Sequence, residues 1–207
     1  MIEGLGRIKA TVTALEMLQQ PTRVAKPAPA GKLALFRADP PTISFYRYLY
    51  NTVGEPWLWI DRRRLSDEAL AEIIHDRKIE IYVLYSGGSP AGYTELDFRD
   101  PDNVEIGYFG IMPEFIGKGL GAYLLDWTVD AAWARGTKRL WVHTCDWDHP
   151  RALGNYQRAG FVPFKRYEEW SDDPRLDGTY PRDYQHHALP PLAPSQTSSA
   201  EQDDIRQ

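Results

Sequence analysis

Three glycines at alternate positions, in Pro113-Glu-Phe-Ile-Gly-Lys-Gly-Leu-Gly-Ala122, have a spacing that can do chemistry. Glycine permits positive φ and lets a ligand come close to the backbone. The segment joins a strand-like run, 104–112, to a helix-like run over about 119–135. Unpaired N–H groups and the positive dipole end at a helix start favour a phosphate, and Lys118 adds a cation. The spacing lacks the two-residue gap of the dinucleotide fingerprint and the Gly-Lys-Ser/Thr ending of a P-loop. Taken alone, the loop reads either as an anion site or as a tight turn whose glycines only let helix and strand pack.

Around this loop stand other reactive side chains. Glu105 lies on the strand-like run, where period-2 alternation puts it on one face with Gly107, Phe109 and Ile111. Glu95 and Asp97 lie on the run before it, and His143 on the run after. Cys145 could act as a nucleophile with His143 or His149. The remaining histidines, His75, His186 and His187, lack the carboxylate spacing of a metal site, so no metal is expected. Phe45, Tyr46, Tyr48, Tyr50, Trp57 and Trp59 crowd into fifteen residues and are followed by Arg62, Arg63 and Arg64. Aromatic faces bind cations and arginines bind carboxylates. At least half of these aromatics are nevertheless expected to be core, and the run Tyr167–Trp170 is placed to close the same pocket.

The elements that must carry these residues alternate in type. Helices are expected over 42–54 and 66–76, the second with Ser66 as N-cap. Runs 79–86 and 91–98 form a hairpin through Gly-Gly-Ser-Pro. The helix from about 119 repeats Leu120, Leu124, Trp127 and Ala131 on one face and is capped near Gly136. A strand over 138–144 follows. Asp148 and Pro150 then give the start signals of a helix ending at Gly160, and a last strand begins at Phe161. The strand–helix–strand crossover from 104 to 144 requires a parallel pair, so the sheet is mixed.

Composition sets the outer limits. The chain has 207 residues, enough for one sizeable domain, and is 43% hydrophobic and 26% charged. A net charge of −5 argues against nucleic acid as the main partner. The single cysteine excludes an intrachain disulfide framework and fits a reducing cytoplasm. No apolar run reaches the roughly 18 residues of a membrane-spanning helix, so no membrane partner is expected. Residues 1–31 read as an N-terminal strand and a Pro/Ala-rich connector, 32–188 as the folded domain, and 189–207 as a disordered tail.

Two motifs carry a family resemblance. The stretch Glu105-Ile-Gly-Tyr-Phe-Gly-Ile-Met-Pro-Glu-Phe-Ile-Gly-Lys-Gly-Leu-Gly121 resembles the strand and (Gln/Arg)-x-x-Gly-x-Gly/Ala loop of the GNAT acetyltransferase superfamily. About 30 residues on, Ala152-Leu-Gly-Asn-Tyr156-Gln-Arg-Ala-Gly160-Phe161 resembles its second motif, in the expected order and spacing. The resemblance covers about residues 42–170. It implies an α/β (α+β) fold with a mixed, mostly antiparallel central sheet, helices on both faces, and a splayed parallel strand pair at the cofactor site.

The resemblance also implies acetyl-CoA as the acyl donor. Gly117, Lys118, Gly119, Leu120, Gly121 and Ala122 would hold its pyrophosphate. Phe109, Ile111 and Met112 would run beside the pantetheine, with His149 and Asn155 near its far end. Ile116 stands where the family carries Gln or Arg, and His149 where it carries Asn. Tyr156 would be the acid toward the leaving thiolate and Glu105 the base, with Tyr46, Tyr50, Trp57 and Trp59 around the acceptor. The implied reaction is transfer of acetyl to a primary amine of a small molecule. Alternatives are a protein lysine or N-terminal amine as acceptor, or a CoA-binding module without catalysis. A homodimer is compatible with the family pattern.

Overall fold

The computed structural model describes residues 6–23 and 27–192. Seven strands form one sheet in the order β2-β3-β4-β5-β6-β1-β7. They are β1 (Arg7–Met17), β2 (Leu33–Ala38), β3 (Ile79–Ser86), β4 (Ser89–Asp97), β5 (Asn103–Ile111), β6 (Arg139–Cys145) and β7 (Val162–Asp172). Four helices flank it: α1 (Ile43–Gly54), α2 (Asp67–Ile74), α3 (Leu120–Trp133) and α4 (Ala152–Ala159). Every pairing is antiparallel except β5 with β6. The mixed, mostly antiparallel sheet with one parallel pair is the architecture expected from the crossover.

The apolar faces explain the layering. Leu125, Val129 and Ala132 of α3 and Tyr156 of α4 bury one sheet face together with Val104, Ile106, Leu140 and Val142. Tyr46, Leu49, Tyr50 and Val53 of α1 and Leu70 and Ile74 of α2 bury the other against Ile79, Ile81, Val83 and Tyr93. Ser66 caps α2 as anticipated, its hydroxyl accepting from the Ala69 N–H. Asp148 does not cap α4, whose N-cap is Arg151 with no side-chain bond. Its carboxylate closes the turn after β6 instead, accepting from the Thr144 hydroxyl and the Cys145 N–H.

The strand within residues 1–31 lies inside the sheet, with β6 on one side and β7 on the other. Part of the connector also packs: Arg23 donates to the Asp126 carbonyl and to the Asp130 carboxylate of α3. The short strand β2 had no counterpart in the pattern reading, because Leu33–Ala38 shows only partial burial and weak alternation. Of the tail, residues 193–207 lie outside the described residues. Leu189, at its start, packs beside Tyr180, Trp147 and Ile8. Residues 173–192 run without helix or strand over the α1-side face of β1 and β7.

This C-terminal segment is tied down by a buried ion pair. Arg175 and Asp173 are 4% and 0% exposed and meet at 2.6 Å, and Arg175 also donates to the Pro190 carbonyl. Burial by itself would raise the Asp173 pKa; hydrogen bonds from Arg175 outweigh it and hold the carboxyl below its usual value. The contribution of Asp173 is therefore present above the unfolded aspartate pKa and is lost as pH falls through the lowered folded value. Arg175→Met should cost about 3–5 kcal/mol, because it leaves a carboxylate buried without its cation. A urea unfolding midpoint equal to wild type at neutral pH would show that the pair is not what holds the segment.

Candidate active site

The site begins with a failure of strand pairing. The parallel ladder between β5 and β6 runs only through Asn103–Arg139, Val104–Leu140 and Glu105–Trp141. Beyond these pairs the two strands separate. Across β5 the register with β4 shifts, with Glu95 opposite Tyr108 but Leu96 opposite Ile106, so Gly107 is an extra residue. Such a bulge bends its strand and reverses the side-chain alternation beyond it. Glycine fits because a Cβ there would stand 3.4 Å from a Glu95 carboxylate oxygen.

The bulge corrects one expectation. Glu105 does not share a face with Phe109 and Ile111. Those two pack toward α3, as Val104 and Ile106 do, whereas Tyr108 packs toward α1. Glu105 stands on the α1 side at the last paired position, with its Oε1 3.1 Å from His143 Nδ1 on β6. That hydrogen bond raises the His143 pKa against the opposing effect of burial. A groove of about 440 Å³ opens beside the pair, lined among others by Asp97, Arg99, Glu105, Arg139 and Trp141. A larger concavity, about 600 Å³, lies at the start of α1 near Pro40, Arg47 and His75 and contains none of the expected residues.

The glycine loop meets the same splay from the α3 side. Gly117 and Gly119 adopt φ of 85° and 78°, and a Cβ on either would meet nothing within 4 Å. Gly119 caps α3 without a side-chain bond. The backbone N–H groups of Gly117, Gly119, Leu120, Gly121 and Ala122 have no backbone acceptor among the described residues. Five donors at the positive end of a 14-residue helix make a built anion cradle. A Cβ at Gly121 would stand 3.4 Å from Ile111, an ordinary contact with β5. Ile116 is exposed and Lys118 lies over the Phe115 ring, 4.9 Å from its centroid.

Tyr156 projects from α4 into the α3-side core, edge-on to Phe109 of β5 and to Phe161. Burial, with a smaller contribution from Asp148, pushes its phenol above 10. Its hydroxyl makes no hydrogen bond among the described residues. His149 Nδ1 accepts from the Arg151 N–H, and its ring lies edge-on to Trp57. Asn155 is exposed and holds Arg158. Met112 is buried, its N–H bonded to the Ala91 carbonyl.

The aromatic segment divides. Tyr46 and Tyr50 are 0% and 1% exposed and their hydroxyls are engaged: Tyr46 donates to Glu95 at 2.6 Å, and Tyr50 accepts from the Arg62 N–H. Arg62 completes the cluster, bonding Glu95 at 2.8 Å and lying over the Tyr108 ring. Burial raises the Glu95 pKa, with Arg62 and Tyr46 pulling it back. Trp57 and Trp59 are half-buried nearer the splay. Tyr167 packs on the α1 side near Trp147 and Ile8, while Trp170 is exposed beside Lys9 and Arg7. The Cys145 thiol is pushed up to about 12, by burial first and Asp148 second. It is therefore held protonated, which opposes a Cys/His nucleophile. Pattern reading missed the partners that fix this site, His143 on Glu105, Arg62 on Glu95 and Asp148 on Trp59, because each joins segments distant in the chain.

Comparison with known proteins agrees with this geometry. A sequence profile described as the acetyltransferase (GNAT) family matches residues 42–161. A mycothiol acetyltransferase of Streptosporangium roseum is 33% identical over 90 residues, which are 44% of this chain and 25% of that protein. The chain thus spans about a quarter of the length of that relative. Among solved structures, a GCN5-related N-acetyltransferase from Sphaerobacter thermophilus superposes with a TM-score of 0.57 at 17% identity, over 81% of this chain and 52% of the other. The ribosomal-protein-S18-alanine N-acetyltransferase of Escherichia coli gives 0.53 at 16% identity, over 65% and 80%. The structural likenesses carry the fold, and the profile match, over more than half of the sequence, carries the family. With a splayed parallel pair, a glycine-capped helix start and both sequence motifs converging on one cleft, this chain belongs to the acetyltransferase (GNAT) family.

Proposed function

We propose that this protein is an N-acetyltransferase that moves an acetyl group from acetyl-CoA to a primary amine of a small molecule. The observation that carries the reading is the convergence of five unpaired N–H groups at the start of α3 on the gap between β5 and β6. The cradle suits a pyrophosphate, and the open edge of β5 beyond Glu105 suits an extended amide-containing arm that adds to the sheet. Acetyl-CoA has both, and supplies an activated thioester. The name of the curated relative, mycothiol acetyltransferase, supports acetyl as the transferred group.

In this reading the residues divide the work of binding and proton transfer. Gly117, Lys118, Gly119, Leu120, Gly121 and Ala122 bind the pyrophosphate. Phe109, Ile111 and Met112 hold the arm along β5, with His149 and Asn155 at the opposite wall. Glu105, at the apex of the splay and fixed by His143, accepts the proton that the ammonium must lose before its nitrogen attacks the thioester carbonyl. Tyr156 supplies a proton to the departing thiolate from the other sheet face. Burial keeps its phenol protonated throughout the neutral range. Trp57 and Trp59 border the acceptor side, while Tyr46 and Tyr50 act from beneath, as the packed support of that wall. A second reading, with the terminal amine or a lysine of a peptide as acceptor, is favoured by the openness of the groove beside Glu105 to solvent.

Titration with acetyl-CoA tests the donor. Wild type should bind in the micromolar range and Gly119→Trp should not, since its side chain would fill the approach to the amides. Equal binding by both would place the donor elsewhere. A panel of small amines and lysine-containing peptides then separates the two acceptor readings, and binding without turnover on any of them would favour a non-catalytic module.

Tyr156→Phe should lower turnover by about 100-fold with little change in CoA affinity. An unchanged rate would remove Tyr156 as the acid. Glu105→Gln should abolish the acidic limb of the pH–rate profile and cut turnover by a similar factor, about 100-fold. The same substitution removes the carboxylate that raises His143, so the imidazole should titrate at lower pH in NMR. A His143 midpoint that stays in place would show that the two groups are not coupled in solution.

A further inference from the structure

One indole reaches both of the separated strands. On the α1 side of the sheet, residues 55–60 cross the splay from the end of α1. The Trp59 ring atom Cη2 lies 3.6 Å from the Cβ position of Gly110 on β5. At its other end, Nε1 donates to Asp148 Oδ1, 3.3 Å away, beyond the end of β6. Asp148 is fixed in turn, its Oδ2 accepting from the Thr144 hydroxyl at 2.7 Å and from the Cys145 N–H at 3.0 Å.

The ring has little freedom to give way. Tyr50, Tyr108 and Tyr93 surround it at centroid distances of 5.3, 5.1 and 6.3 Å. Gly54 passes so close that a Cβ there would stand 2.5 Å from Trp59. The segment carrying Trp59 is held by its N–H on the Gly54 carbonyl, by Tyr180 on its own carbonyl and by Tyr184 on the Glu55 carbonyl. Leu58 takes a left-handed φ of 53°, a conformation unfavourable for a residue with a side chain. The surroundings therefore over-determine where the indole sits.

We propose that Trp59 is the stop at the acyl end of the donor site and restricts the donor to the acetyl group. The inference rests on the donor reading above. The start of α3 and the Tyr156 ring both lie on the α3 side, so a donor held there would direct its acyl end into the gap, toward the α1 side. Trp59 closes that side over the end of β5. An acetyl methyl stops short of the ring, whereas each further methylene must displace an indole held by a hydrogen bond at one end and by three tyrosines around it.

Calorimetric titration with free CoA, acetyl-CoA and butyryl-CoA tests this. Binding of free CoA by wild type establishes the donor site, and its absence would remove the donor reading itself. With that site established, butyryl-CoA should bind about tenfold or more weakly than acetyl-CoA, the size of effect that one or two methylenes produce against a rigid wall. The ratio should collapse to within about threefold in Trp59→Leu, and fall part-way in Trp59→Phe, which keeps most of the volume but has no N–H for Asp148. A ratio of dissociation constants is unaffected by loss of folded protein, so a destabilised variant still reports. A wild type that binds both donors equally, or a ratio that survives Trp59→Leu, would overturn the assignment.

Discussion

The separation of β5 from β6 after three residue pairs is the constraint on which the rest of this structure depends. Parallel strands in the middle of a sheet ordinarily stay paired, because a buried N–H or C=O without a partner is costly. Here the extra residue at Gly107, set against the consecutive Glu95 and Leu96 of β4, bends β5 just beyond its last pair with β6. The gap exposes backbone hydrogen-bonding groups in the centre of the molecule, where an extended ligand can satisfy them. It also gives the two sheet faces access to one point, which a continuous sheet would deny.

What holds the gap open is distributed around it. On the far side of β6, the antiparallel partner β1 pairs along Val12–Met17 and anchors the strand that β5 has left. β7 extends the ladder beyond β1 and brings α4 back over the α3-side face, with Tyr156 against Phe109. On the α1 side, Gly110 allows the helix to approach so closely that a Cβ would stand 2.2 Å from Val53. The residues following α1 then cross to Asp148.

Charge is handled differently on the two faces. The α3 side offers fixed backbone dipoles and one exposed lysine, which attract an anion without burying a counter-charge. The α1 side buries Glu95 together with Arg62 and Tyr46, both of which donate to its carboxylate. That cluster stiffens the wall beneath Tyr108 and Trp59. Glu105 and His143 lie nearer solvent. Glu95 is thus held within a buried hydrogen-bonded set, whereas Glu105 at the apex of the splay stays within reach of solvent.

The sequence by itself determined the local elements and the glycine turn that opens α3. Apolar spacing at Leu120 and Leu124, the Ser66 cap, and the glycines at 117 and 119 act over a few residues, so their consequences can be read in order along the chain. Trp127 and Ala131, expected on the same buried face, are only partly buried, and Leu125, Val129 and Ala132 face the core instead. The crossover between β5 and β6 was legible for the same reason, since a helix between two strands leaves one geometry. Tertiary structure alone decided the rest. Only pairing across the sheet reveals the bulge at Gly107, which moves Glu105 to the face opposite Phe109. Only packing brings Trp59 to Asp148, Glu105 to His143 and Arg62 to Glu95, residues 33 or more positions apart. Asp148 shows the limit most plainly: its local pattern is that of a helix cap, but its carboxylate accepts from Thr144, Cys145 and the distant Trp59 instead. Local signals encode which bonds a residue can make, and the fold selects among them by which partner is nearest and which groups would otherwise be left unpaired.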